Sequence, residues 1–185
     1  LLYLPAHTMT TLQGETRSIP TITLENTTHL GIRGPNGIGK TTFINELLQV
    51  LQNQAEQAPL RILYLPQELT ESDRETLLAR IRALPKEEKG ELLSIVAQLN
   101  SDPKRILSGA STSPGEARKL FLAYGIMNVP ELIIMDEPTN HLDLHSIEAL
   151  EQALANFPGA LVLVSHDEAF MKATTTDIIE LAVEN

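Results

Sequence analysis

The sequence has 185 residues, 42% of them hydrophobic, enough for one sizeable core, and the length fits a single domain carrying an insert. Its formal charge of −10 and pI near 4.9 exclude a broad nucleic-acid footprint, because gripping a phosphate backbone takes clustered Lys and Arg; any such contact would have to be local. There is no Cys for a disulfide framework or a thiolate metal site, no apolar run near the ~20 residues of a membrane-spanning helix and no secretory signal, so a cytoplasmic protein without direct membrane insertion is expected.

The chain opens on Leu1 rather than Met, and we expect it to be a piece of something longer. Leu1 to Leu24 mix apolar alternation with Thr, Pro and Gly, and read as two or three short strands turning at Gln13-Gly14 and Pro20, an antiparallel N-terminal β subdomain. His29 to Arg33 reads as a further strand. Directly after it, Gly34-Pro35-Asn36-Gly37-Ile38-Gly39-Lys40-Thr41-Thr42 matches the phosphate-binding pattern GxxxxGK followed by Ser or Thr at every fixed position. Phe43, Leu47, Val50 and Leu51 then recur at helical spacing, so a helix from about Lys40 to Leu51 completes the strand-turn-helix context that the motif needs. The chemistry is anion capture: glycines let the backbone curl so that successive amides point inward, and the free amides of the helix start meet the phosphates. Lys40 adds a point charge to the β and γ phosphates, and the Thr41 hydroxyl sits on Mg2+. Ile62 to Leu65 is expected as the next core strand, joined to His29–Arg33 in a βαβ unit, with the loop at the carboxyl ends of the strands where open α/β sheets bind ligands.

After Pro66-Gln67 the pattern becomes helical. Ser72-Asp73-Arg74-Glu75 reads as a capping box followed by Leu77, Leu78, Ile81 and Leu84, and after Pro85 a second helix carries Leu92, Ile95, Val96 and Leu99. Two amphipathic helices with no strand between them predict a helical insert over about 71–112. At Ser113-Pro114-Gly115-Glu116 another helix begins, with Ser as N-cap, Pro at the first helical position and an apolar face of Ala117, Leu120, Phe121 and Tyr124.

Leu132-Ile133-Ile134-Met135 is the continuous apolar run of a buried parallel strand, and it ends in Asp136 and Glu137. Acids at the end of a buried strand are costly unless solvated, paired or metal-linked, so both should face the site, Asp136 in the magnesium shell and Glu137 as general base on water. Pro138 to Asp143 follow, with Asp143 a candidate cap for a helix burying Ile147, Leu150, Leu154 and Phe157. Ala160 to Val164 is a last strand of the sheet core running into Ser165-His166-Asp167, and a short helix and a strand from Ile178 to Leu181 close the chain. His166, at a strand end, is the candidate functional histidine; His7, His29 and His145 read as structural or exposed.

Taken together and in this order, the motifs resemble the nucleotide-binding domain of ATP-binding-cassette (ABC) ATPases over nearly the whole chain. GPNGIGKTT resembles Walker A, Gln67 in YLPQE the Q-loop, SPGEARK the signature, LIIMDE Walker B, PTNHLD the D-loop and VSHDEAF the switch-histidine segment. DEPTNHLD with VSHDEAF is similar to the ABC-F branch, whose members carry two cassettes and no membrane domain, and the stretch IEALEQALANFPGALVLVSHD looks most like a second, C-terminal cassette. The resemblance implies a P-loop NTPase fold of ABC type, α/β, with a mainly parallel sheet flanked by helices, the N-terminal β subdomain and a helical subdomain of about 71–127. It implies Mg2+ and ATP, with Lys40 and the loop amides on the phosphates, Thr41 and Asp136 on the metal with Gln67 nearby, Glu137 polarising water and His166 on the γ phosphate. Ser113 and Gly115 are similar to signature residues, and Asp143 to a D-loop residue, that belong to a site shared with an opposing cassette. It implies as partners that second cassette, in the same full-length chain or a homodimer, and a ribosome reached through regions absent here, in translation or antibiotic resistance. A transporter subunit and a dimerisation module that uses ATP without hydrolysing it are the alternatives. Two positions depart from the family pattern: Pro114 replaces a glycine and has no N–H to give, and no aromatic lies at the expected distance before Walker A, Tyr3 being too far upstream.

Overall fold

The computed structural model describes residues 2–55, 59–102 and 113–181. Four short strands come first, where the pattern pointed to two or three: β1 (Leu2–Leu4), β2 (His7–Thr10), β3 (Thr16–Ile19) and β4 (Ile22–Leu24). They form two antiparallel ribbons, with β2–β3 nested in sequence between the strands of β1–β4; the expected turn falls at Gln13-Gly14, while Pro20 lies in the short link that carries the chain from β3 to the other ribbon. Period-two alternation buries Leu2, Leu4, Ile22 and Leu24 and leaves their neighbours in water.

The remaining elements are β5 (His29–Arg33), α1 (Lys40–Ala55), β6 (Ile62–Leu65), α2 (Glu71–Ala83), α3 (Lys86–Gln98), α4 (Pro114–Met127), β7 (Leu132–Asp136), α5 (Leu144–Ala155), β8 (Ala160–Val164), α6 (Glu168–Thr174) and β9 (Asp177–Glu180). Their strands make one sheet in the order β6-β7-β8-β5-β9, every pairing parallel. The α1 crossover does join parallel strands, but β5 and β6 are not neighbours, because β7 and β8 lie between them. Composition explains the order: every residue of β7 and β8 is buried, which only interior strands allow, whereas β6 is half-buried by alternation and β9 is largely exposed.

Alternate residues of the central strands feed two cores. On one face Ile32, Ile134 and Val162 meet Phe43, Ile44 and Leu47 of α1 and the apolar sides of β1 and β4. On the other, Leu65, Ile133, Met135 and Leu163 meet Leu77 and Ile81 of α2, Leu92 and Val96 of α3, Leu120 of α4 and Leu150 of α5. Among the described residues the helices of the insert share one core with the second face of the sheet, which their apolar sides continue. Residues 103–112 of the expected insert lie outside the described residues.

Two local expectations shift. Helix α2 starts at Glu71 with Thr70, not Ser72, as N-cap: Thr70 Oγ1 accepts from the Asp73 amide at 3.2 Å and the Asp73 carboxylate accepts from the Thr70 amide at 2.9 Å. Helix α4 has the expected cap, Ser113 and Glu116 bonding reciprocally with Pro114 in the first turn. Its buried face differs, however: Phe121 and Tyr124 are half-exposed, whereas Arg118 and Lys119 are buried.

Candidate functional site

Neighbouring parallel strands end on the same edge of the sheet. The chain therefore leaves β5 into loop 34–39, β7 into Asp136-Glu137 and β8 into Ser165-His166 at one place, with Gln67 just beyond β6. A cavity of about 440 Å³ opens there, lined by Asn36, Gly37, Gly39, Lys40, Thr41 and Thr42 together with Gln67, Asp136, Glu137 and His166. The remaining loop residues support it from behind. Gly34 and Pro35 turn their carbonyls onto Lys40 Nζ at 2.8 and 3.0 Å, and Ile38 is buried in the core beneath the loop. Gly39 has φ 109, and a Cβ there would lie 2.9 Å from both Met9 and Thr11 side-chain atoms, so only glycine lets the loop pass the β subdomain.

The charged groups interlock. Lys40 Nζ lies 3.2 Å from His166 Nε2, and burial lowers its pKa, partly offset by the Glu137 and Asp136 carboxylates. The Thr41 hydroxyl donates to Asp136 Oδ2 at 2.8 Å. Burial pushes the Asp136 carboxyl above its ordinary value, opposed first by the Thr41 bond and then by the charge of Lys40. Glu137 is buried with φ 50, and one of its oxygens, Oε2, accepts from the His166 amide at 3.2 Å. The other, Oε1, is 3.3 Å from His166 Nε2, an ion pair when that ring is protonated, and is a buried acceptor that receives no hydrogen bond.

These residues fit a magnesium nucleotide. Among the described residues no group of three or more His, Asp or Glu could hold a metal alone. Mg2+ typically takes one or two protein oxygens and fills the rest of its octahedron with phosphate and water, which suits the touching Thr41 and Asp136 oxygens with Gln67 on the same wall.

Ser113, Gly115 and Asp143 do not line this cavity. They share a separate one of about 370 Å³ with Lys119 and His141. Asp143 caps α5 through the Ser146 amide, and Lys119, donating to it at 2.7 Å, holds its carboxyl well below the usual range despite some desolvation. Gly115 is set by packing: a Cβ there would fall 2.3 Å from the His141 carbonyl oxygen. His29 is structural, as expected, its ring facing the Thr174, Phe157 and Gly159 carbonyls.

Comparison with known proteins decides the family. A family model described as ABC transporter matches residues 19–140. The chain belongs to that family. Among curated relatives, this ABC cassette is 34% identical over 159 residues to the ATP-binding protein Uup-like of Haemophilus influenzae, covering 80% of this chain and 35% of the relative. It is 36% identical over 158 residues to ATP-binding cassette sub-family F member 3 of Mus musculus, covering 78% of this chain and 22% of that one. The cassette thus spans about a third or less of these relatives, which are ABC-F proteins. Among solved structures it is similar to RNase-L Inhibitor, at TM-score 0.72 and 22% identity over 100% of this chain and 37% of that one. It is also similar to the dimeric, post-hydrolysis structure of the ATP-binding cassette MJ0796 bound to ADP and Pi, at TM-score 0.63 and 20% identity over 97% and 94% of the two chains.

Four residues of the ABC cassette's cavity were not anticipated. Thr11, Leu12 and Gln13 form its outer lip, and Asn140 its floor beside Glu137. The lip reads in sequence as an ordinary turn, and the one available signal is Leu12, an apolar residue at a turn tip, which proves 96% exposed. Among the described residues no aromatic side chain lines the cavity.

Proposed function

We propose that this chain is one MgATP-binding and ATP-hydrolysing cassette, residues 1–185 forming a single nucleotide-binding unit with a helical subdomain of about 71–127. The observation that carries this reading is the buried Glu137 Oε1, which accepts no hydrogen bond and lies at the cavity wall beside His166, near Lys40 and the Thr41–Asp136 pair. A buried acceptor without a donor is costly, and a water placed for attack on a γ phosphate would satisfy it. Lys40 and the amides of residues 34–42 would hold the phosphates, Glu137 would take the proton of the attacking water, and His166 would contact the γ phosphate. Thr41 and Asp136, with Gln67, would hold Mg2+, which when bound neutralises phosphate charge. Ser113, Gly115 and Asp143 would serve the nucleotide of an opposing cassette, in the same full-length protein or a second copy. Their separate cavity and the dimeric state of the related MJ0796 cassette support that division.

We further propose that the full-length protein works in the cytoplasm, at the ribosome, in translation or ribosome-directed resistance, through regions outside this chain, a reading supported by its likeness to ABC-F proteins. Among the described residues no helix is long and apolar enough to cross a membrane.

The test is Glu137→Gln, which keeps shape and removes the base. In the full-length protein, binding of a fluorescent ATP analogue should be unchanged and turnover should fall by about 10² to 10⁴. Wild-type turnover in this variant would show that Glu137 is not the base.

A further inference from the structure

Arg118 is among the largest fully buried side chains, 2% exposed, on the second turn of α4. Its guanidinium reaches two separate strand ends. Nη1 donates to the carbonyls of Pro66 at 3.1 Å and Gln67 at 2.8 Å, just past β6. Nη2 donates to the carbonyls of Asp136 at 3.1 Å and Glu137 at 2.8 Å, where β7 ends, and Nε lies 3.4 Å from the Pro138 carbonyl. The Glu137 peptide is held from other sides too, its amide donating to the Val164 carbonyl at 2.8 Å and its carbonyl accepting from the Asn140 amide at 3.2 Å. That matters because Glu137 has φ 50, a conformation a non-glycine residue keeps only where its surroundings impose it.

We infer that Arg118 is a positioning residue, a rigid spacer that fixes the Gln67 segment against the Glu137 segment and ties both to the start of α4. This rests on the hydrolytic reading above. The guanidinium is planar, with five N–H groups in a fixed fork, so serving both segments sets their separation; an ammonium on a flexible stem would satisfy one and release the other. Ser113 caps helix α4, whose first residue, Pro114, lies one turn before Arg118, so a tilt of that helix moves the backbone of both cavity walls. A shift of about 1 Å at a reacting group is enough to cost about 10²-fold in rate.

The test compares wild type, R118K and R118M in the full-length protein, any second cassette being inactivated at its own phosphate-loop lysine. Turnover, KM, affinity for a fluorescent ATP analogue, melting temperature, and amide exchange in segments 65–68 and 136–142 are measured. We expect R118M to lower kcat about 10²-fold with KM and affinity within twofold. R118K should be intermediate, and exchange should quicken in those two segments but not in α1. An unchanged kcat in folded R118M overturns the assignment, as does a parallel loss of affinity, kcat and melting temperature, which marks a merely structural arginine. Should R118M not fold, R118K is read by the same criteria. Should wild type bind ATP without hydrolysing it, the functional reading falls, and unaltered exchange in the two segments would then overturn the role of Arg118 separately.

Discussion

Val129 shows what backbone conformation costs at a single residue. It follows the C-cap of α4 with φ 47, its amide donates to the Ile126 carbonyl at 2.9 Å, and its carbonyl accepts from Arg61 Nε at 2.9 Å. Helices commonly end on a left-handed residue, but the usual occupant is glycine, and a β-branched side chain is the worst suited to it. The side chain is 67% exposed, so little packing offsets the strain. Val129→Gly keeps both backbone bonds and removes the clash. Relief of ~1 to 2 kcal/mol, less the extra freedom of glycine in the unfolded chain, should leave a net gain of up to about 1 kcal/mol. Urea unfolding of the chain checks this, and a lowered midpoint would show that the left-handed turn is not the dominant cost. Glu137 shares the conformation, but there the side chain has a task that glycine cannot perform.

At the scale of elements, the start of α2 separates what sequence pattern can and cannot resolve. Thr70 and Ser72 are both hydroxyl residues with an acid three positions on, so the signature occurs twice in overlapping register. The structure uses the earlier one, which lengthens the helix by about half a turn and sets Glu71 and Asp73 near its positive end. Thr70→Ala should therefore destabilise the chain by about 1 kcal/mol, while Ser72→Ala stays within about 0.5 kcal/mol, as chemical denaturation would show; equal effects would mean that the cap is not at Thr70. The phosphate loop, its flanking strand and helix, and β7 and β8 were legible because each joins a local motif to an unbroken apolar run. Strand order was not, since a helical crossover specifies parallel sense and says nothing of adjacency. The inward turn of Arg118 was equally hidden, because its partners are carbonyls of Pro66, Gln67 and residues 136–138, distant in sequence and silent in composition. A hint existed in its spacing, three residues after Gly115 and four before Leu122, which places it on a buried stripe of α4.

For the whole molecule, the separation of the Ser113 cavity from the phosphate cavity bears on rate. If the two act across an interface, the isolated chain should bind ATP yet turn it over slowly, and the rate should climb with the concentration of a partner cassette. A partner with its signature Ser replaced should fail to stimulate hydrolysis at the Lys40 site, whereas one with a broken phosphate loop and an intact signature should still do so; concentration-independent full turnover by a monomer would refute the shared site. Strand order has one more consequence, for how the protein is made. The strand that carries the phosphate loop is flanked on both sides by late arrivals: His29 pairs with Leu161 on β8 and Leu30 with Asp177 on β9. During synthesis at ~5 to 20 residues per second, β5 leaves the ribosome and waits on the order of ten seconds for either neighbour. The nucleotide site, written near the beginning of the chain, is among the last parts to be built, so a nascent chain has no finished cradle for ATP until nearly all of these residues have emerged.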